Sequence, residues 1–148
     1  MVEISMGLLV AAMLVVASRS WQLESWAYTL SLLFLPMFYM GFGLFADGGG
    51  IVLKEFLFGI PYFAIAIIGL LYQFKWSAYV VAIMWLLHAV YDVVHNEFFI
   101  NTGVFSWYPY FCAAVDFAIG GYILWSARQW PSASISLVAK SANGSGSR

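Results

Sequence analysis

Apolar residues run along this chain in five long blocks separated by short polar breaks. Crossing ~30 Å of hydrocarbon takes ~20 helical residues, and most of the blocks approach that length. The first, Ile4 to Ala17, is short for a span. Arg19, Gln22 and Glu24 then make a polar break flanked by Trp21 and Trp26, which suit a headgroup interface. The second block carries Pro36, Gly41 and Gly43, so a kink near Pro36 is expected.

Asp47-Gly48-Gly49-Gly50 is the clearest turn, because consecutive glycines break a helix and admit positive φ. The third block follows, with Lys54 and Glu55 in its first turns and Gly59 and Pro61 just below. Gln73-Phe74-Lys75 closes it. After the fourth block, residues 96–107 form a loop rich in apolar side chains: Phe98, Phe99, Ile100, Val104 and Phe105. Trp107-Tyr108-Pro109-Tyr110 reads as an aromatic belt with a proline opening the fifth helix. The pattern thus predicts an all-α bundle of five transmembrane helices at 4–17, 26–45, 51–72, 76–95 and 108–127. They form one domain over 1–130, with a polar, disordered tail over 131–148.

Composition agrees. Of 148 residues, 64% are hydrophobic, 20% aromatic and only 9% charged, against about a quarter charged in a soluble domain; mean hydropathy is +0.88. A net charge of -1 with no basic cluster gives no footprint for nucleic acid. Cys112 stands alone, which excludes an internal disulfide and any multi-cysteine metal site. No basic residue precedes the first block and no small-residue cleavage site follows it, so it is expected to be a retained helix.

Charge also orients the bundle. Arg19, Lys75, Arg128, Lys140 and Arg148 all follow odd-numbered spans, whereas Glu3, Asp47 and Glu97 fall on the opposite side with Lys54. The positive-inside rule then puts the N-terminus outside and the C-terminus in the cytoplasm, in a plasma (inner) membrane. The Asn143-Gly144-Ser145 sequon would lie on the cytoplasmic side and go unused. No repeat of fixed period is visible, which disfavours an inverted-repeat transporter.

The candidate chemistry sits in Trp85-Leu86-Leu87-His88-Ala89-Val90-Tyr91-Asp92-Val93-Val94-His95-Asn96. On a helix, His88, Asp92 and His95 are spaced i,i+4 and i,i+3 and share one stripe. Ionisable groups in an apolar span need partners, water or a metal. Glu55 and Asp92 lie about one turn, and Asp116 about two turns, below the outer ends of their helices, so the three share one depth. His88, Asp92, His95, Asp116 and Glu55 are therefore the candidate metal ligands, with Asp92, His95 and Glu55 as candidate catalytic groups. Cys112, one turn above Asp116, could line the same cavity.

His88 and His95 are separated by ~10 Å of helix rise. A mononuclear site would use one histidine with Asp92, Glu55 and Asp116; a dinuclear site would let Asp92 bridge. Such a ligand set suits zinc, iron or manganese. A haem held by both histidines is excluded, since axial ligands approach from opposite faces. The competing reading is structural: these groups can pair with one another or with backbone carbonyls and tie the bundle together. Glu55 can serve as a solvated helix-start carboxylate, Cys112 as a small apolar residue, Gly120-Gly121 for close helix approach, and the aromatics for packing and anchoring.

Trp85-Leu86-Leu87-His88 with Asp92 and His95, followed by Cys112-Ala113-Ala114-Val115-Asp116, resembles a family of small polytopic membrane proteins described only as a domain of unknown function. Gly48-Gly49-Gly50 followed by Glu55 is similar to the glycine-rich turn and helix-borne glutamate of that family. The likeness covers the third to fifth spans. Asn96 stands where the family pattern has a second histidine, and Phe111 where it has a glycine. The resemblance implies a membrane fold and supplies no reaction.

Taken together, the sequence points to a membrane-embedded metal-dependent enzyme acting on a lipid or other apolar small molecule, with hydrolysis, isomerisation and oxidation all open. Expected partners are membrane lipids, an apolar substrate and a second copy of the chain. The alternatives are a protein that transports or senses protons or a divalent cation, and an accessory subunit of a larger membrane complex. Transport needs polar residues towards the cytoplasmic side. There the fourth span offers only Ser77 and Tyr79, and the fifth little but Tyr122.

Overall fold

A computed structural model describes residues 1–46, 50–71 and 77–129. The described chain is all-helical: α1 (Val2–Ser20), α2 (Glu24–Gly43), α3 (Ile51–Leu71), α4 (Ser77–Phe98) and α5 (Tyr108–Ser126), closed by a 3-10 turn over Ala127–Gln129. The turn at Asp47-Gly48-Gly49, the break at Gln73-Phe74-Lys75 and the tail over 131–148 lie outside the described residues.

The helices correspond one for one to the apolar blocks but reach past some of their ends. α1 takes in Glu3 and Arg19, an acid in its first turn and a base in its last. Those are the signs that the helix dipole favours, so apolar character ends before the helix does. Glu24 opens α2 in the same way. α4 continues to Phe98, absorbing Asn96 and Glu97 from the expected loop.

α5 packs along both α1 and α4, and α2 along α3; α4 meets α2 and α3 more thinly. The start of α1 lies beside the start of α5, since Met1, Glu3 and Ile4 line one cavity with Ser106, Trp107 and Tyr110. Their ends also meet, where Arg19 Nη1 donates to Tyr122 Oη at 3.2 Å. The two helices therefore run parallel.

Polarity is inverted relative to a water-soluble bundle. Val16 is 68% exposed and Leu71 70%, with many large apolar side chains around them also outside, whereas Glu55, His88, Asp92, His95, Asn101 and Asp116 are buried. Faces this apolar are those of a surface covered by lipid or by another protein. α1 to α4 are each long and apolar enough to cross a membrane. α5 is not among them, because Tyr108, Pro109, Tyr110 and Asp116 lower its hydropathy. Eleven of its nineteen residues are buried, which makes it the interior helix of the bundle.

Close approach of α5 to α4 depends on Gly120. A Cβ there would lie 2.8 Å from Leu86 Cγ and 3.2 Å from the Ala82 carbonyl, whereas one on Gly121 would meet nothing within 4 Å. Only the first glycine of the expected pair is a packing device. Below it, Ile119 and Ile123 join Val81, Ala82 and Trp85 in the apolar core.

Candidate metal centre

Helical spacing carries His88, Asp92 and His95 along one buried stripe of α4, and the neighbouring helices divide that stripe into two groups. In the first, His88 Nδ1 lies 2.7 Å from Asp116 Oδ2 of α5 and 3.5 Å from Asp92 Oδ1. One ring nitrogen makes one good hydrogen bond, and the shorter distance assigns it to Asp116. Asp92 Oδ1 is instead served by Tyr39 of α2, whose hydroxyl donates at 2.8 Å.

In the second group, Glu55 of α3 accepts from three sides. His95 Nε2 lies 2.9 Å from Glu55 Oε1, Asn101 Nδ2 donates to the same oxygen at 2.7 Å, and Tyr91 Oη donates to Oε2 at 2.9 Å. Glu55 is thus a buried, fully engaged carboxylate rather than a solvated helix-start acid. The structure brings His88, Asp92 and Asp116 together and places Glu55 and His95 in a separate pair.

Tyr39 joins the groups. Its ring stacks on His95 at 4.6 Å between centroids and 30° between planes. Its carbonyl accepts from Asn101 at 3.1 Å. Tyr62 meets the His88 ring edge-on at 5.2 Å, and Tyr91 lies 5.8 Å from it. Cys112 is buried beside Tyr39 and Tyr108.

The loop after α4 folds over this assembly. Phe99 packs edge-to-face on His95 at 5.2 Å and Phe105 on Phe42 at 6.0 Å. Asn101, 3% exposed, points inward, and Asn101 Oδ1 accepts from the Gly103 amide at 3.2 Å. Gly103 itself lies so close to the Phe42 carbonyl oxygen that a Cβ would collide with it.

Satisfaction of hydrogen bonds separates the groups chemically. The Glu55 group is closed. In the other, His88 Nε2, Asp92 Oδ2 and Asp116 Oδ1 are buried without a hydrogen-bond partner among the described residues. Each such atom left unpaired costs about 1–3 kcal/mol. The two ring nitrogens of His88 face opposite ways and Nδ1 is the one turned to both carboxylates, so an ion shared with Asp92 and Asp116 would take Nδ1 in place of its hydrogen bond to Asp116. One ligand atom from each of His88, Asp92 and Asp116 lies within 4.8 Å of the others. Donors about 2.0–2.2 Å from a common ion are at most about 4.4 Å apart, a spacing of the same order. Two carboxylates with a neutral imidazole would also balance a divalent charge, which is the cheapest way to bury a cation.

At the opposite end of the bundle a smaller polar group links four helices. Tyr122 Oη donates to Glu24 and accepts from Arg19. Ser18 and Tyr28 share a hydrogen bond of 2.6 Å, and Trp85 Nε1 donates to the Tyr28 carbonyl at 3.2 Å. A cavity of about 200 Å³ opens beside them, lined by Ser18, Tyr28, Ser31, Trp85 and Ile119 among others.

Tyr39, Tyr91 and Asn101 are the site residues that sequence reasoning missed. The tyrosines were indistinguishable from the many packing aromatics of this chain. For Asn101 the signal was one amide in an otherwise apolar loop. Comparison with known proteins adds no assignment, since no protein family, curated protein or solved structure matches the chain.

Proposed function

We propose that this protein is a membrane-embedded enzyme whose metal centre is held by His88, Asp92 and Asp116 and acts on a lipid or other apolar small molecule. The observation that carries the reading is the approach of one possible ligand atom from each of these three buried residues to within 4.8 Å of the others. Three protein ligands leave coordination positions for water or substrate, as catalytic sites do. Zinc, iron and manganese all suit a set of one imidazole and two carboxylates. The metal would serve as Lewis acid or generate hydroxide. Asp92 is a ligand in this scheme, and the His95–Glu55 pair, one tyrosine away, is the group to exchange a proton with the reaction. The apolar outer surface supports a substrate that arrives from the bilayer.

The same reading makes all five helices spans, with α5 crossing inside a sheath of its neighbours. The N-terminus is outside and the C-terminus cytoplasmic, in the plasma (inner) membrane. The likeness to the membrane family of unknown function rests on these same site residues.

Elemental analysis of detergent-purified protein tests the proposal. Stoichiometric zinc, iron or manganese, lost in His88→Ala and Asp116→Ala, is the expected result, and the metal found selects the reaction class to assay. Metal-free protein that takes up none of the three on reconstitution would refute it. A second reading, proton or cation transport, draws on the polar groups at both ends of α4: Glu55, His95 and Asn101 at one, Ser18, Tyr28, Glu24 and Tyr122 at the other. Ion flux in proteoliposomes that is lost in Asp116→Ala would favour it.

A further inference from the structure

Tyr39 makes three kinds of contact within one buried residue: its hydroxyl holds Asp92 Oδ1, its ring lies on His95, and its carbonyl receives Asn101. The hydroxyl bond occupies one oxygen of Asp92 and leaves Oδ2 without a partner. A carboxylate with both oxygens free could rotate; one pinned through Oδ1 presents Oδ2 in a single direction. The other two contacts hold the tyrosine itself. Stacking fixes the ring plane, and Asn101, which is also bonded to Glu55 at 2.7 Å, anchors the backbone of α2 to α3 through the loop.

Resting on the metal reading above, we infer that Tyr39 is the positioning residue of the metal centre, and that Asn101 acts on the metal through Tyr39. Outer partners that hydrogen-bond a ligand carboxylate orient it, and their removal weakens metal binding by about 10- to 100-fold. The arrangement makes the loop over 99–107 part of the centre without giving it a ligand. Folding of that loop and binding of the metal then favour each other, because any coupling between them is reciprocal.

The test is titration of the full chain in detergent with cobalt(II) as a spectroscopic probe, following both the affinity and the visible absorption of the bound ion. Tyr39→Phe keeps the ring on His95 and removes only the hydroxyl, so a merely structural role for the ring would leave both readouts unchanged. The expected result is about 10- to 100-fold weaker binding with an altered spectrum. Asn101→Ala should weaken binding by a smaller factor in the wild-type background and have little further effect in Tyr39→Phe, as coupled residues do. Cobalt binding to Tyr39→Phe with wild-type affinity and spectrum would overturn the inference and leave the metal centre standing. Equal losses from Asn101→Ala in both backgrounds would overturn the route through Tyr39, and this arm stands even where Tyr39→Phe is poorly stable. A wild-type chain that binds neither cobalt(II) nor manganese(II) would overturn the metal reading itself.

Discussion

His88 Nδ1 and Asp116 Oδ2, twenty-eight positions apart on α4 and α5, meet at 2.7 Å in the interior of the bundle. The contact ties α4 to α5 through a buried pair, with His88 Nε2 and Asp116 Oδ1 left without a hydrogen-bond partner among the described residues. Asp116→Asn separates the roles of the carboxylate, because the amide oxygen can still accept from His88 while one anionic ligand is lost. Metal content should fall to background in this variant with the thermal midpoint of the metal-free protein nearly unchanged. Elemental analysis and a thermal-shift measurement check it. Retained metal would make Asp116 a hydrogen-bond partner only.

Glu55 behaves differently because all its bonds are internal. Glu55→Gln replaces an acceptor by a donor facing Tyr91 or Asn101, at a site buried from water. Loss of about 1–3 kcal/mol of stability is expected, with metal still bound. Unfolding in mixed micelles, combined with metal analysis, reads both. A stable variant that has lost its metal would instead put Glu55 among the ligands.

Gly120 and Gly121 make a paired comparison. Gly120→Val drives a branched side chain into Leu86 and the Ala82 carbonyl. Overpacking of this kind costs about 1–3 kcal/mol, and prising α5 from α4 should also weaken metal binding by moving Asp116 away from His88. Gly121→Ala, with open space around it, should be neutral or stabilising by about 0.5–1 kcal/mol through helix propensity. Equal effects at the two positions would contradict the α4–α5 packing.

Gly103→Ala places a methyl group against the Phe42 carbonyl, a backbone atom that cannot swing aside. The loop over 99–107 should detach locally while the helices stay folded. Faster amide exchange confined to this loop and to the end of α2 is the expected signature, and unchanged exchange would show that the loop accommodates the methyl.

Orientation in the membrane is tested by labelling. In a Cys112→Ala background, Ser106→Cys and Arg128→Cys sit at opposite ends of α5. An impermeant maleimide added to intact cells should modify the first and spare the second. The reverse pattern would invert the proposed orientation, and labelling of both would deny that α5 crosses.

The sequence by itself determined the number and nature of the helices, since blocks of apolar residues of spanning length have few other ways to satisfy their backbone groups. It also determined that His88, Asp92 and His95 share one stripe, because helical spacing is a local property. It left open which neighbour each of them faces. That depends on how each helix is rotated about its axis and how closely the axes approach, which Gly120 and the interhelical side chains decide jointly. Only the tertiary structure therefore parted His88, Asp92 and Asp116 from His95 and Glu55, two groups that equal depth alone would merge. Tyr39 and Asn101 became visible at the same step, since a tyrosine among twenty-nine aromatic residues acquires a role only when its hydroxyl is brought to a carboxylate fifty-three positions away.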